Sequence, residues 1–305
     1  MSRAVEGPSP AFPQAIPQVM AAYKYCEAVT SHQARNFSYG IRLLPGPKRR
    51  AMQAVYALAR RIDDIGDGGW DDDRKAEQLL ATRRLLDELR SRSVDPDDID
   101  PVKVALADSV ARFDIPIDAF DELIDGVEMD VRGAEYRTFD ELRTYCRCVA
   151  GTIGRLSLGV FGSSDPKQAD EYADSLGLAL QLTNILRDVR EDAGNGRTYL
   201  PAEDLARFGC QEGFGAAVPS PGADFAGLVS FEARRAQEYF DEGLRLLPML
   251  DRRSRACVAA MAGIYHRLLE RIAEDPGGVL RGRVSLPPWE KAYVAVSGLV
   301  GGRAS

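Results

Sequence analysis

Apolar residues recur along most of the chain at spacings of three and four, which is the period of an amphipathic α-helix. In residues 48–65, which contain neither glycine nor proline, Met52, Val55, Tyr56 and Ala59 fall on one helical face. No alternating run of β-branched residues is long enough to predict a sheet. The pattern therefore predicts an all-α protein.

Further helices are predicted over most of the remaining chain. One helix is predicted to begin at the acidic residues 71–73 and to continue as an amphipathic stretch that ends near residue 90. Loops are expected at 91–101, 193–201 and 209–223. The other predicted helices cover residues 102–112, 116–133, 138–160, 165–192, 224–246, 251–274 and 287–300.

No linker or internal repeat divides the chain. The 305 residues are enough for one large core. We therefore expect a single helical domain over residues 19–300, preceded by a flexible proline-rich leader at 1–18.

Composition limits the chemistry that the chain can carry. An odd number of cysteines, five, without a CxxC pair argues against a disulfide framework or a zinc ribbon and favours reduced thiols. Only two histidines are present, so a histidine-based metal site or a Ser-His-Asp triad is hard to build. The net charge of −7 argues against nucleic acid as a partner.

The sequence contains no apolar stretch of the ~18 residues that a membrane span needs. This predicts a cytoplasmic protein, for which contact with the inner face of the membrane stays open. The oligomeric state is not predicted by the sequence.

The first acidic motif lies at the end of the helix predicted for residues 48–65. Asp63 and Asp67 are four residues apart and share a helical face, while Asp64 lies about 100° around the axis. Like charges at this spacing repel one another, so they do not help the helix to form. A divalent cation would make the same arrangement favourable.

The second acidic motif lies in the predicted helix 165–192. Asn184, Asp188 and Asp192 form a stripe at intervals of four, and Gln181 lies on nearly the same face. Two such helices facing each other across a cavity would hold Mg²⁺ through carboxylate oxygens, and the ions would hold a diphosphate. A solvated acidic helix face is the alternative, and it is more plausible for the first motif taken alone.

At these residues the sequence resembles the squalene/phytoene synthase family, and the likeness extends from Tyr23 to Lys291. The second signature, LALQLTNILRDVREDAGNGRTYLP, is the most specific part of the resemblance. The segments that carry it are residues 36–67, 145–154, 178–201, 261–272 and 281–291.

The resemblance implies one all-α isoprenoid synthase domain whose central cavity lies between two aspartate-rich helices. It implies that the Mg²⁺–diphosphate sites are formed by Asp63, Asp64, Asp67, Asn184, Asp188 and Asp192, with Tyr145 also among the catalytic residues. It implies that the basic residues in contact with diphosphate are Arg60, Arg187, Arg283 and Lys291. Residues at positions that line the pocket are His32, Tyr56, Tyr145, Gln181, Arg197, Tyr199 and Tyr265.

The implied cofactor is Mg²⁺, or Mn²⁺ in its place, and NADPH is not expected. The local sequence most resembles that of bacterial presqualene diphosphate synthases. We therefore expect the protein to join two farnesyl diphosphates head to head, with presqualene diphosphate as the product. The alternatives are a phytoene synthase that uses geranylgeranyl diphosphate and an NADPH-dependent squalene synthase. A non-enzymatic assembly factor of the same fold is a remote alternative, since both aspartate motifs are intact.

Overall fold

The computed structural model describes residues 16–33, 37–211 and 222–300. These residues form fourteen α-helices and no β-strand, which confirms the predicted fold class. The helices are α1 (Ile16–Gln33), α2 (Phe37–Ile41), α3 (Gly46–Asp67), α4 (Asp72–Arg90), α5 (Pro101–Arg112), α6 (Asp118–Val131), α7 (Phe139–Cys146), α8 (Thr152–Phe161), α9 (Pro166–Gly194), α10 (Ala202–Arg207), α11 (Phe225–Gly243), α12 (Arg252–Glu274), α13 (Gly278–Arg281) and α14 (Pro288–Val300).

Residues 1–15 of the predicted leader lie outside the described residues, and Ile16 already belongs to α1. The loop predicted at 209–223 is described only in part, because residues 212–221 lie outside the described residues.

Two predicted helices differ in detail from those observed. The segment predicted as one helix over 138–160 is α7, a π-helical stretch at Arg147–Gly151, and α8. The helix predicted to reach residue 246 ends at Gly243 and is followed by a 3₁₀ helix at Leu244–Met249, where Pro248 cannot donate a backbone hydrogen bond. The short helices α2, α10 and α13 were not predicted, because five, six and four residues are too few to show a period.

The two helices with acidic motifs are both built into the core. In α3 the buried face includes Val55, Leu58 and Ile62, and in α9 it includes Leu182 and Ile185. Helix α9 packs against α8, α11 and α12 and against the π-helical stretch. Each acidic motif is therefore held by an apolar face on the same helix, as the periodicity predicts.

Two glycines allow unusually close packing around the motif helices. A Cβ atom on Gly66 of α3 would lie 2.7 Å from Cγ1 of Val127 on α6. On α9, a Cβ atom on Gly177 would lie 2.7 Å from the carbonyl oxygen of Ala150 in the π-helical stretch. These contacts bring α3 against α6 and α9 against the π-helical stretch.

All five cysteines are buried and carry free thiols, as expected from their number and spacing. None of the described helices has the length and apolar character needed to cross a bilayer. Contact with a membrane surface stays a prediction.

Candidate active site

A polar cavity of about 800 Å³ lies between α3 and α9. Side chains from α6, α7 and the segments after α9 and α13 complete its wall. Its lining contains six carboxylates and four guanidinium groups, namely Asp63, Asp67, Asp130, Asp188, Glu191, Asp192, Arg60, Arg187, Arg197 and Arg283. The cavity is thus densely charged, with acidic groups in excess.

An apolar cavity of about 220 Å³ adjoins the polar cavity. The two cavities share the lining residues Arg60, Asp63, Val149, Gln181 and Asn184. The apolar cavity continues from there between α2, α3, the π-helical stretch, α8, α9 and α12. A molecule with a charged head and an apolar chain would therefore find both environments next to each other.

The first acidic motif is split between two sides of α3. Asp63 and Asp67 line the polar cavity, whereas Asp64 lines a separate surface groove with Trp70. Asp64 forms an ion pair with Arg60, with Oδ1 2.5 Å from Nη2. Asp64 therefore does not line the polar cavity, which follows from the rotation of about 100° per residue in a helix, and its catalytic role stays a prediction.

The second acidic motif faces the polar cavity with all its predicted members. Asn184 donates from Nδ2 to Oε1 of Gln181 over 3.3 Å. The Oδ1 atom of Asn184 is buried and accepts no hydrogen bond within the described parts of the chain. A buried polar atom without a partner is costly, so this oxygen has an unused capacity to bind a donor or a cation.

Within the polar cavity, Asp63 and Asp192 are the acidic residues whose pKa values are raised most by their surroundings. Burial raises the pKa of Asp63 to about 7, opposed by the positive charge of Arg60 and reinforced by the negative charge of Asp67. Burial and the neighbouring Asp188 raise the pKa of Asp192 to about 7, opposed by Arg197. Since both carboxylates are costly to ionise here, an added cation would stabilise their charged forms.

Asp188, in contrast, is already paired with arginine. Its carboxylate accepts a hydrogen bond of 2.8 Å from Nε of Arg187 and lies 3.0 Å from Nε of Arg283. Arg197, after α9, forms a further ion pair with Asp67 on α3, with Nη1 3.0 Å from Oδ1. Three guanidinium groups of the cavity thus form ion pairs with the carboxylates of Asp67 and Asp188.

A cluster of tyrosines surrounds a carboxylate on α6. Tyr145 donates its hydroxyl hydrogen to Oδ2 of Asp130 over 2.8 Å, and Tyr199 donates to Oδ1 over 3.0 Å. The rings of Tyr145 and Tyr199 stack with centroids 5.4 Å apart. Burial raises the pKa of Asp130 above its ordinary value, although both hydroxyl hydrogen bonds oppose this.

Most residues predicted for the site are brought together by the fold. Tyr56 and Tyr265 line the apolar cavity. Three predicted residues line neither cavity: Asp64, His32 and Lys291. His32 is exposed in the last turn of α1, and Lys291 lies on α14.

Asp130 was not predicted, although the sequence contains a signal for it. Leu123, Gly126 and Val127 are buried at the spacing of one helical face, and Asp130 continues that face by one turn. An acidic residue on an otherwise apolar stripe is unusual, because a buried carboxylate needs partners.

Among the described residues, no three cysteine, histidine or acidic side chains stand close enough together to hold a metal ion by themselves.

The chain is similar in sequence and in fold to known proteins. Residues 30–290 match the family model described as squalene/phytoene synthase. The chain is 49% identical over 284 residues to the phytoene synthase of Mycobacterium tuberculosis, covering 92% of each chain. It is 36% identical over 291 residues to the 15-cis-phytoene synthase of Synechococcus elongatus, covering 91% of this chain and 92% of that protein.

Two solved structures share the fold closely. A dehydrosqualene synthase matches with a TM-score of 0.81 at 26% identity, covering 93% of this chain and 98% of that one. The squalene synthase HpnC from Alicyclobacillus acidocaldarius matches with a TM-score of 0.77 at 29% identity, covering 87% of this chain and 99% of that one.

Proposed function

The chain belongs to the squalene/phytoene synthase family, and we propose that it joins two prenyl diphosphates head to head with release of one diphosphate. The observation that carries this proposal is the junction of the two cavities. A polar cavity rich in carboxylates and guanidinium groups meets an apolar cavity at Asp63, Gln181 and Asn184. This suits an amphiphile whose reacting carbon lies between a diphosphate head and a hydrocarbon chain.

We propose Mg²⁺, or Mn²⁺, as the cation of the polar cavity. The donors are hard oxygens, which these ions prefer. The unpartnered Oδ1 of Asn184 and the raised pKa values of Asp63 and Asp192 fit a site that gains from a cation. Mg²⁺ in proteins usually takes one or two carboxylates together with water and substrate phosphates, so phosphate oxygens of the substrate would complete the coordination. The residues that would hold the ions are Asp63, Asp67, Asn184, Asp188 and Asp192.

When bound, the metal ions supply Lewis-acid stabilisation of the charge that develops on the leaving diphosphate. The arginines add charge-assisted hydrogen bonds to phosphate, for which the planar guanidinium is well suited. Arg187 and Arg283, which now pair with Asp188, are close enough to the metal ligands to serve both partners.

The chemistry requires that the allylic cation is kept away from water. The 2,3-double bond of the second substrate attacks that cation, and loss of a proton closes a cyclopropane ring. The apolar cavity is lined by aliphatic and aromatic side chains such as Phe37, Val55 and Leu158, which exclude water from the hydrocarbon chains. No reductant enters this half-reaction, so we propose that NADPH does not change its first product.

For the substrate we propose geranylgeranyl diphosphate, with phytoene as the final product once the cyclopropyl C40 intermediate has also lost the second diphosphate and a further proton. The support is the similarity to phytoene synthases over nearly the whole chain, at 49% and 36% identity.

Farnesyl diphosphate, with presqualene diphosphate as product, is the second candidate and the one that the sequence analysis favoured. Its support is the closeness of the fold to a dehydrosqualene synthase and to HpnC, at 26% and 29% identity.

The test is incubation of the purified protein with Mg²⁺ and one prenyl diphosphate, either C15 or C20, with and without NADPH. Mass spectrometry identifies the products, and released diphosphate is measured in parallel. We expect a coupled C40 product from the C20 substrate that requires the divalent cation. A coupled C30 product only from the C15 substrate would favour the second candidate, and monomeric alcohols alone would contradict head-to-head coupling.

A further inference from the structure

Arg283 reaches the polar cavity from a segment without regular secondary structure. Residues 283–287 connect α13 to α14 as irregular backbone. The side chain of Arg283 is 57% exposed, and its Nε atom lies 3.0 Å from Oδ1 of Asp188. A guanidinium group on irregular, exposed backbone would have to be ordered whenever a diphosphate binds, and this ordering lowers affinity. Support from outside the segment would remove that cost.

Arg190 on α9 holds the chain just before Arg283. Its Nη1 atom donates to the carbonyl oxygen of Leu280 over 3.2 Å and to that of Arg281 over 3.0 Å. These carbonyl groups lie at the C-terminal end of α13, where a helix leaves its carbonyls without partners and a basic side chain can satisfy them. The carbonyl of Arg281 is only two residues before Arg283, so the contact fixes the backbone close to it.

Arg271 on α12 holds the chain just after Arg283. Its Nη1 atom donates to the carbonyl oxygen of Ser285 over 3.0 Å, and its Nη2 atom pairs with Glu290 on α14. The carbonyl of Ser285 is two residues after Arg283. The same spacing thus separates Arg283 from a held carbonyl on each side.

Both arginines act on a short stretch between two buried anchors. Leu280 and Leu286 are buried, whereas most of residues 281–285 are exposed. The hydrogen bonds from Arg190 and Arg271 therefore join this stretch to α9 and α12, the helices on either side of it. Each guanidinium is planar and presents its N–H groups in fixed directions, which suits the holding of main-chain carbonyls.

We propose that Arg190 and Arg271 form a clamp that fixes the backbone of residues 281–285 and thereby positions Arg283 to bind diphosphate. Neither Arg190 nor Arg271 lines the polar or the apolar cavity, so both are positioning residues that act through Arg283. The clamp rests on the proposed function, in which Arg283 binds the diphosphate of the substrate. It is independent of the length of the prenyl chain.

The test measures the binding of inorganic diphosphate to the purified protein at saturating Mg²⁺ by isothermal titration calorimetry. Arg190→Ala removes the hydrogen bonds to α13, and Arg271→Ala removes the bond to Ser285. We expect each variant to raise Kd about three- to tenfold, because part of the binding energy then orders the segment. The rise should stay below that of Arg283→Ala, since the clamp acts only through that side chain.

A double-mutant cycle separates positioning from a general loss of structure. In the Arg283→Ala background, Arg190→Ala and Arg271→Ala should each change Kd less than about 1.5-fold, because residues that act through one another are not additive. A role in stability alone would give the same loss with and without Arg283. Arg190→Lys and Arg271→Lys keep a charged donor and should recover part of the affinity, although an ammonium group lacks the planar fork.

Arg267→Ala and Arg281→Ala are the matched controls. Arg267 lies on α12 one turn before Arg271 and pairs with Glu270, while the side chain of Arg281 pairs with Asp275. Neither control side chain lines a cavity, and Arg281→Ala leaves its own carbonyl in place. Both variants should bind diphosphate with the wild-type Kd. Circular dichroism and melting curves show that each variant is folded at the temperature of the titration.

The outcomes separate the clamp from the proposed function. A wild-type Kd in Arg190→Ala, Arg271→Ala or Arg283→Ala would overturn the clamp, and so would an equal loss in the Arg283→Ala background. If wild type still couples prenyl diphosphates in those cases, the proposed function stands. If wild type binds diphosphate but forms no coupled product, the proposed function fails, and the same Kd values decide the clamp. Absence of diphosphate binding by wild type would overturn both.

Discussion

Asp188 on α9 lies 3.0 Å from Nε of Arg283, a residue 95 positions later in the chain. The carboxylate is also held by Arg187. Asp63, on the opposite wall, has no ion pair among the described residues and a pKa of about 7. The two acidic walls are therefore electrostatically different before any substrate binds.

This difference predicts opposite effects on stability for two variants with the same loss of activity. Asp63→Ala and Asp188→Ala should each lower kcat by about 10³-fold, because each removes a proposed metal ligand. Asp63→Ala should leave the melting temperature unchanged or raise it, since a buried and costly carboxylate is removed. Asp188→Ala should lower it, because the half-buried Arg187 loses its partner.

Thermal denaturation and steady-state kinetics in Mg²⁺ check both parts. The sequence alone predicts that both variants relieve like-charge repulsion, whereas the pairing of Asp188 with Arg187 and Arg283 predicts a loss of stability for Asp188→Ala. Near-normal turnover of Asp188→Ala in the presence of EDTA would contradict the metal-dependent mechanism.

The raised pKa of Asp63 predicts a pH dependence of stability without divalent cations. Between about pH 4 and 7 the folded protein keeps a proton that the unfolded chain has released, since the ordinary value is 3.8. The unfolding free energy contributed by this group therefore falls as the pH rises through that window. Asparagine does not ionise, so Asp63→Asn should be more stable than wild type by an amount that grows from pH 5 to pH 8.

The measurement is the melting temperature of both proteins in EDTA at several pH values. Ser157→Ala carries no change in ionisable groups, and its difference from wild type should stay constant over the same range. A constant difference for Asp63→Asn would show that Asp63 is already ionised at pH 5 in the folded protein.

The sequence predicts those parts of the site whose geometry is determined within a single helix. The spacing of Asp63 with Asp67, and of Asn184 with Asp188, is fixed by helical geometry, so each set shares a face regardless of the rest of the fold. The start of α9 is also typical of a helix N-terminus, because Asp165 caps the helix and Pro166 is its first residue.

The parts that were not predicted depend on packing between distant helices. Asp130 enters the cavity because α6 approaches α3 closely at Gly66, a contact without a local signature. Lys291 lies on α14, whose position depends on its packing against α12, and it does not line either cavity. The π-helical stretch at Arg147–Gly151 likewise has the same local period as an ordinary helix.

The apolar cavity predicts that a substitution in its lining changes the preference between C15 and C20 substrates. Ser157 on α8 lines this cavity and donates its hydroxyl hydrogen to the carbonyl oxygen of Ile153 over 2.7 Å. Ser157→Phe would fill part of a volume of about 220 Å³. Since each buried CH₂ group contributes about 0.8 kcal/mol, displacing one isoprene unit should lower kcat/KM for the C20 substrate more than tenfold relative to the C15 substrate.

Competition between the two substrates, followed by mass spectrometry, measures this ratio. Ser157→Ala removes the hydroxyl without filling space and should change the ratio less than about threefold. An equal loss for both substrates in Ser157→Phe would place the hydrocarbon chain outside this cavity.

Arg283 is expected to act on the substrate and to contribute little to stability. Its side chain is 57% exposed and pairs with Asp188 and, at 3.7 Å, with Glu191. Exposed ion pairs contribute at most about 1 kcal/mol, so Arg283→Ala should lower the melting temperature by only about 1–2 °C. Charge-assisted contacts to phosphate are stronger, about 1.5–3 kcal/mol, so kcat/KM should fall about ten- to a hundredfold.

Arg283→Lys keeps the charge but loses the planar fork that binds two oxygens at once, so its kcat/KM should lie between those of wild type and Arg283→Ala. Arg281→Ala is the matched control, because Arg281 lies two residues away, pairs with Asp275 and does not line the polar cavity. Kinetics at saturating Mg²⁺ and melting curves for the three variants give the comparison. Wild-type kcat/KM in Arg283→Ala would assign Arg283 to the solvated surface, and an equal loss in Arg281→Ala would attribute the effect to the fold of this segment.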